Sequence, residues 1–176
     1  QKLLDVAYSD FSTRNIGLIA HMAYEWCQRL GDMRMLVWDN IDFETQTVHI
    51  EQSKRHADVH LPIEDDLFEM LKQQEQDFGF QKYVAPRPYA IQGEYRPYSL
   101  QKLPLYGRAL MDAAGLSKEL RLSDLRRTGT TEMVEAGVGM GQIMSVTGHA
   151  NPSSVKPYMK NTRKSAELAL TARKKS

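Results

Sequence analysis

Arg29, Lys54, Arg126, His149 and Tyr158 carry the side-chain types that could together break a phosphodiester without a metal. Such a reaction needs a nucleophile, positive charge on the two non-bridging oxygens and an acid for the departing 5′ oxygen. Arginine presents a planar fork of N–H donors that matches phosphate oxygens, so Arg29 and Arg126 suit the second role. Preorganised donors of this kind contribute about 3 kcal/mol each in a transition state. Tyr158 can attack phosphorus through its phenolic oxygen and store the bond as a phosphotyrosine, which permits religation without ATP. A free tyrosine ionises at a pKa of about 10, so neighbouring positive charge must assist it. His149 can hydrogen-bond the phosphate or tune that ionisation, and Lys54 can protonate the leaving oxygen. Each residue also has an ordinary alternative: a helix-end arginine, a solvated turn lysine, a helix-capping histidine, one of eight tyrosines. Arg126 and Arg127 are neighbours about 100° apart on a helix, so only one faces a given site, and the other meets an acid or a nucleic-acid backbone.

The elements that must hold these groups show in the hydrophobic periodicity. Ile19, Met22, Ala23, Trp26, Cys27 and Leu30 follow the spacing of an amphipathic helix, with Arg29 beside the stripe near its C-terminal end. A short helix through Asp32 to Met35 leads into Leu36-Val37-Trp38, and Trp26, Cys27 and Trp38 read as core. Residues 47–52 and 58–63 alternate apolar and polar around Ser53-Lys54-Arg55-His56-Ala57. That pattern predicts a hairpin with a basic tip, Lys54 at the strand-to-turn junction, and a small antiparallel sheet completed by Leu36–Trp38. Leu67, Met70 and Leu71 predict an exposed amphipathic helix over 64–77. The Pro- and Gly-punctuated, aromatic stretch 79–98 reads as a long surface loop.

Further helices are expected over 99–114 and 122–136, the second burying Leu122, Leu125, Gly129, Met133 and Ala136. Another runs from near Met140 to Gly148, and Asn151-Pro152 opens a short one towards Tyr158. A last amphipathic helix is expected over 162–172, carrying Ala166, Leu168, Ala169 and Leu170. The expected class is α+β, mainly helical, with about three antiparallel strands packed against a helical bundle.

Composition limits the remaining choices. A chain of 176 residues with 41% hydrophobic content can bury one globular core, so 1–176 reads as a single domain. The single cysteine, Cys27, excludes an intramolecular disulfide and a Cys-rich zinc site, which fits a reducing cytoplasmic or nucleoid setting. No apolar run approaches the roughly 20 residues needed to span a bilayer, so no membrane partner is expected. The chain opens with Gln1 rather than Met and reads as a fragment lacking a natural N-terminal part. Its net charge of +1 hides a polarised distribution. Lys156, Lys160, Arg163, Lys164, Arg173, Lys174 and Lys175 face only Glu167 in the C-terminal stretch, whereas acids gather from Glu64 to Asp77. One basic and one acidic face is the arrangement phosphate contacts require.

The order and spacing of these residues, from about Ile16 to Lys160, resemble the catalytic domain of the tyrosine recombinase, or phage integrase, family. Gln28-Arg29-Leu30-Gly31-Asp32-Met33 resembles the first box, whose arginine binds the scissile phosphate and is followed three positions later by an acid. Lys54 falls where the family carries its hairpin lysine, Leu125-Arg126 resembles the second arginine box, Gly148-His149 the Gly-His element, and Tyr158 the nucleophile. One departure stands out. The family usually has histidine three residues before the second arginine, and here Ser123 occupies that place. Ser123 and Arg126 still share a helix face by spacing, but serine is a poor general base.

The resemblance implies cleavage of one strand to a 3′-phosphotyrosine, without metal, ATP or any other cofactor, and attack of the free 5′-hydroxyl on a partner duplex. It implies double-stranded DNA recombination sites as partners, a monomer that becomes a homo-tetramer on DNA, and a Holliday-junction intermediate. Arg127, Lys156 and Lys160 are candidate DNA phosphate contacts. The C-terminal basic helix or tail, about 161–176, is expected to pack in cis or in trans on a neighbour. The family's N-terminal core-DNA-binding domain has no counterpart in these residues. Two other readings remain: a type IB topoisomerase or telomere resolvase, which use similar chemistry, and a DNA-binding module of the same fold that has lost catalysis, favoured by Ser123.

Overall fold

A computed structural model describes residues 1–54 and 56–159, together with 166, 167, 170, 171, 173 and 174. The expected C-terminal helix over 162–172, its Leu168 and Ala169, and the phosphate contact expected of Lys160 therefore lie largely or wholly outside the described residues.

Helix α1 (Lys2–Tyr8) packs on α2 (Phe11–Glu25), which forms the centre of the fold. Asp10 caps α2 by accepting from the Ser12 amide at 2.6 Å, which stabilises a helix end by about 1 kcal/mol. Every residue from Asn15 to Ala23 is buried, so this helix has no solvent face over more than two turns. Fully burying a side chain such as Leu18, Ile19 or Met22 stabilises by about 2 kcal/mol. The helix then ends earlier than its apolar spacing predicts. Trp26 and Cys27 continue the buried run outside it, and Cys27 turns the chain through a positive φ of 50°. Arg29 is consequently presented not from α2 but from the extended residue that caps the next helix, α3 (Leu30–Met33).

The sheet is antiparallel in the order β1 (Ile41–Asp42), β2 (Thr47–Glu51), β3 (Asp58–Pro62). Val48, Ile50, Val59 and Leu61 point into the core, and the opposite face carries His49 stacked on its register partner His60 with ring centroids 4.3 Å apart. The third strand differs from the one the sequence suggests. Val37 makes only an isolated bridge to Tyr83, and Trp38–Asn40 coils into a 3-10 turn whose Asn40 side chain accepts from the Val37 amide. Pairing with β2 therefore begins at Ile41.

Helix α4 (Asp65–Phe78) buries Leu67, Leu71, Gln74 and Phe78, so it is seated rather than exposed. The following stretch is also not a surface loop throughout. Val84, Ala85 and Tyr98 are buried, and the fully buried Asn15 and Gln74 donate to the Pro86 and Val84 carbonyls at 2.6 and 2.8 Å. Buried polar side chains here replace the ladder that an irregular backbone lacks.

Helix α5 (Leu103–Ala113) leads to a 3-10 turn, Leu122–Asp124, and then to α6 (Leu125–Glu135). Helix α6 lies across the end of α2 at Gly129, where a Cβ would come within 2.7 Å of Cys27 Sγ. Its buried face is shorter than the spacing suggests, since Gly129 and Thr130 are buried but Ala136 is exposed. Helix α7 (Met140–Thr147) ends at Gly148, whose left-handed φ of 67° reverses the chain towards two short 3-10 turns, Pro152–Ser154 and Lys156–Tyr158.

Candidate active site

Four segments distant in sequence meet where α3, the end of β2, α6 and the end of α7 come together. Gln28 and Gln52, both with no exposed surface, lie at the meeting point. Gln28 donates through Nε2 to the Trp26 and Val146 carbonyls, each at 2.8 Å. Gln52 donates through Nε2 to Gln28 Oε1 at 2.6 Å and to the Thr147 carbonyl at 2.8 Å. Because both nitrogens face carbonyl oxygens, the orientation of each amide is fixed, and the two Oε1 atoms must be the acceptors.

Those oxygens receive the two arginines. Arg29 Nη1 lies 3.3 Å from Gln52 Oε1, and Arg126 Nη1 lies 3.5 Å from Gln28 Oε1. Arg126 Nη2 also donates to the Thr147 carbonyl at 2.8 Å and approaches His149 Nε2 at 3.3 Å. The Val146 and Thr147 carbonyls are among the last four of α7, which have no partner inside the helix. Side-chain donors satisfy them, and the negative end of the helix favours the Arg126 cation. Burial first, and the neighbouring Arg29 charge second, push Arg126 down to about 10, with Tyr158 opposing part of that fall. Arg126 remains charged at neutral pH.

The protonation of His149 follows from its partners. Thr147 Oγ1 gives its hydrogen to the Ile143 carbonyl at 2.8 Å, so it accepts from His149 Nδ1 at 2.6 Å. Nδ1 then carries a proton, and Nε2 faces Arg126 Nη2. Tyr158 sits beside it, the two ring centroids 6.3 Å apart. The fully buried Val155 anchors the 3-10 turn that carries Tyr158.

The hairpin is tied to the same place. The buried Asp32 accepts from the Ser53 amide at 3.2 Å and from its hydroxyl at 2.5 Å, and its other oxygen lies 3.6 Å from Arg29 Nη1. Lys54 follows directly and is exposed in the turn. Arg127 and Lys156 are exposed, as expected of groups that would reach a backbone rather than the centre. Ser123 is exposed in the 3-10 turn ahead of α6, not on the helix itself, so it does not share the half-buried setting of Arg126.

The sequence reading gave Gln28, Gln52, Ser53 and Thr147 no role. A signal for Gln52 was present: the alternation that turns Val48 and Ile50 inward turns residue 52 inward as well. A cavity of about 1120 Å³ lies elsewhere, lined in part by Asp5, Tyr8, His21, Glu25, Asp66 and Glu69. Its acidic rim repels phosphate, so it is not a second candidate for this chemistry. No helix among the described residues is long and apolar enough to cross a membrane.

The model of the phage integrase family matches residues 1–165. The chain belongs to that family. Among curated proteins none matches it closely. Solved structures share the mainly helical fold with its three-stranded sheet. XerA recombinase is 17% identical with a TM-score of 0.74, over 98% of this chain and 60% of that one. The Tn1549 transposon integrase in complex with transposon right end DNA is 13% identical with a TM-score of 0.77, over 97% of this chain and 62% of that one. Lambda integrase, 20% identical, matches as its catalytic core with a TM-score of 0.64, over 84% of this chain and 86% of that one. It also matches as a tetramer bound to a Holliday junction, with a TM-score of 0.69, over 91% of this chain and 46% of that one. This phage integrase family chain thus spans about 60% of the length of the XerA structure but is close in extent to the lambda catalytic core.

Proposed function

We propose that this chain is the catalytic domain of a site-specific DNA recombinase that cleaves and rejoins strands through a 3′-phosphotyrosyl intermediate. The observation that supports it most is the convergence of Arg29, Arg126, His149 and Tyr158, drawn from four separate segments, on one amide-lined site. Arg29 and Arg126 hold the non-bridging oxygens of the scissile phosphate and gain strength as charge builds on them. The Tyr158 oxygen attacks phosphorus, the bond to the 5′ oxygen breaks, and that oxygen takes a proton. Lys54, on the hairpin fixed by the Asp32–Ser53 contacts, supplies it. His149, with Nδ1 on Thr147 Oγ1 and Nε2 3.3 Å from Arg126 Nη2, suits steering Arg126 or hydrogen-bonding the phosphate. Arg127, Lys156 and Lys160 contact neighbouring backbone phosphates, and Ser123 stands where the usual general base is replaced.

Double-stranded recombination sites are the substrate in this reading, and protomers assemble as a tetramer on DNA, as lambda integrase does on a Holliday junction. The C-terminal segment packs on its own or a neighbouring protomer. The reaction takes place in the cytoplasm, on DNA. Incubation with a pool of nicked duplexes, in which the cleaved end diffuses away, tests the assignment. A covalent protein–DNA adduct is expected, and its complete loss in Tyr158→Phe. An adduct that persists in that variant, or none with wild type, removes the mechanism and leaves a DNA-binding module of the same fold.

A further inference from the structure

The two arginines are held mainly by neutral acceptors, with a single ion pair between them and any acid, Arg29 to Asp32 at 3.6 Å among the described residues, and that is unusual for paired guanidinium groups in a half-buried place. A buried arginine is ordinarily matched by a carboxylate. Among the described residues no carboxylate pairs with Arg126; it meets Gln28 Oε1, the Thr147 carbonyl and His149 Nε2. Arg29 has Gln52 Oε1 at 3.3 Å, and the one acid nearby, Asp32, is 3.6 Å away with its other oxygen engaged by Ser53. Burial, and then the Arg29 charge beside it, depress the proton affinity of Arg126.

We propose that Gln28 and Gln52 form a positioning pair that fixes both guanidinium groups without adding negative charge of its own, so that the positive charge of the site is kept for a phosphate oxyanion. The pair works as one unit. Gln52 Nε2 bonds Gln28 Oε1 at 2.6 Å, so the acceptor offered to Arg29 and the acceptor offered to Arg126 are joined by a single amide contact. Both amides also bond the end of α7, through the Val146 and Thr147 carbonyls, which ties the spacing of the arginines to the helix that delivers His149. Gly148 belongs to the same device. The space its Cβ would occupy is taken by Gln52, 2.5 Å from Nε2. A carboxylate in place of either amide would still face its arginine but would spend its charge and set an acceptor oxygen against the two carbonyls that Nε2 now bonds. An apolar side chain of the same length would spare the charge but lose the hold. Glutamine does both.

The inference rests on the anion site of the recombinase reading, and its test does not need DNA. Sulfate binding to the whole chain is measured by calorimetry well below the melting temperature, and the arginine side chains are followed by 15N NMR. Wild type is expected to bind sulfate with Arg29 and Arg126 both perturbed, and to show resolved Nη signals for both before sulfate is added. Gln52→Glu and Gln28→Glu are expected to keep those signals resolved while sulfate affinity falls about tenfold, the effect of losing one charge-assisted contact. Gln52→Met and Gln28→Met are expected to collapse the Nη signals of Arg29 and Arg126, respectively, as the group rotates freely, and to weaken sulfate as well. A purely structural role would lower the melting temperature without this split between a fixed guanidinium and a lost anion. Variants that bind sulfate within about twofold of wild type overturn the proposal. If the variants do not fold, averaged Nη signals in anion-free wild type overturn it instead. Charge-dependent sulfate binding without any DNA adduct leaves the inference standing and removes the recombinase mechanism; an adduct from glutamate variants that also bind sulfate normally does the reverse.

Discussion

At the scale of single residues, Ser123 and Cys27 make the clearest statements. Ser123 is exposed where the family usually carries a histidine, and a serine hydroxyl takes up protons poorly. Restoring a base by Ser123→His is expected to speed adduct formation on nicked duplexes by about a hundredfold, the low end of general-base contributions. An unchanged rate would mean that another group already moves that proton. Cys27 is buried against Gly129, and its thiol is pushed from 9.0 up to about 11, chiefly by that burial. Its folded value exceeds its unfolded one, so the unfolded chain ionises first. The stability it confers is complete below pH 9.0 and is lost as pH climbs towards about 11. Urea unfolding at about pH 8 and about pH 10.5 is expected to show that loss, and Cys27→Ala is expected to reduce it. At neutral pH the thiol stays protonated and should resist alkylation until the chain unfolds.

At the scale of elements, the site depends on two close approaches that only glycine permits. Gly148 combines a positive φ of 67° with the Gln52 amide in its Cβ space. Gly148→Ala is therefore expected to cost about 2 kcal/mol or more from the left-handed backbone and the displaced amide, read as a lower urea midpoint. Gly129 lets α6 cross α2, with a Cβ there facing Cys27 Sγ at 2.7 Å and the Tyr24 carbonyl at 3.0 Å. Gly129→Ala is expected to cost about 1–3 kcal/mol by overpacking. Because it pushes away the helix that carries Arg126, it should also weaken sulfate binding more than its stability loss alone explains. The crossing is reinforced at its rim by Tyr24, whose hydroxyl donates to Glu132 at 2.7 Å.

At the scale of the whole molecule, charge is segregated more than its total suggests. The acids of α4 and its approach line a cavity beside α1 and α2, whereas Arg29, Arg126, Lys54 and Lys156 belong to the candidate site, the hairpin and the turn that carries Tyr158. DNA held through phosphates should bind with an affinity that falls steeply with salt, the logarithmic slope rising by about 0.9 for each phosphate neutralised. Gel-shift titrations across salt concentrations check this, and a flat response would exclude backbone contacts as the main source of affinity.

The sequence by itself determined the element types over most of the chain, because apolar spacing and glycine placement are local properties: the hairpin, α4, α7 with its Gly148 stop, and the short turn leading to Tyr158 lie close to where periodicity puts them. It also named Arg29, Arg126, His149 and Tyr158 by type and order, and the fold brings them together. What tertiary structure alone decided was how they are held. Helix α2 stops at Glu25 because Cys27 turns left-handed under α6, so Arg29 is offered from a cap rather than a helix face. The third strand begins at Ile41 because Trp38–Asn40 closes a turn on Asn40. The stretch after α4 is buried because Gln74 of α4 and Asn15 of the distant α2 satisfy its carbonyls. The Gln28–Gln52 pair joins residues from two elements to the end of a third. Contacts across such separations have no periodicity, so nothing along the chain announces them until burial forces each amide to find its partners.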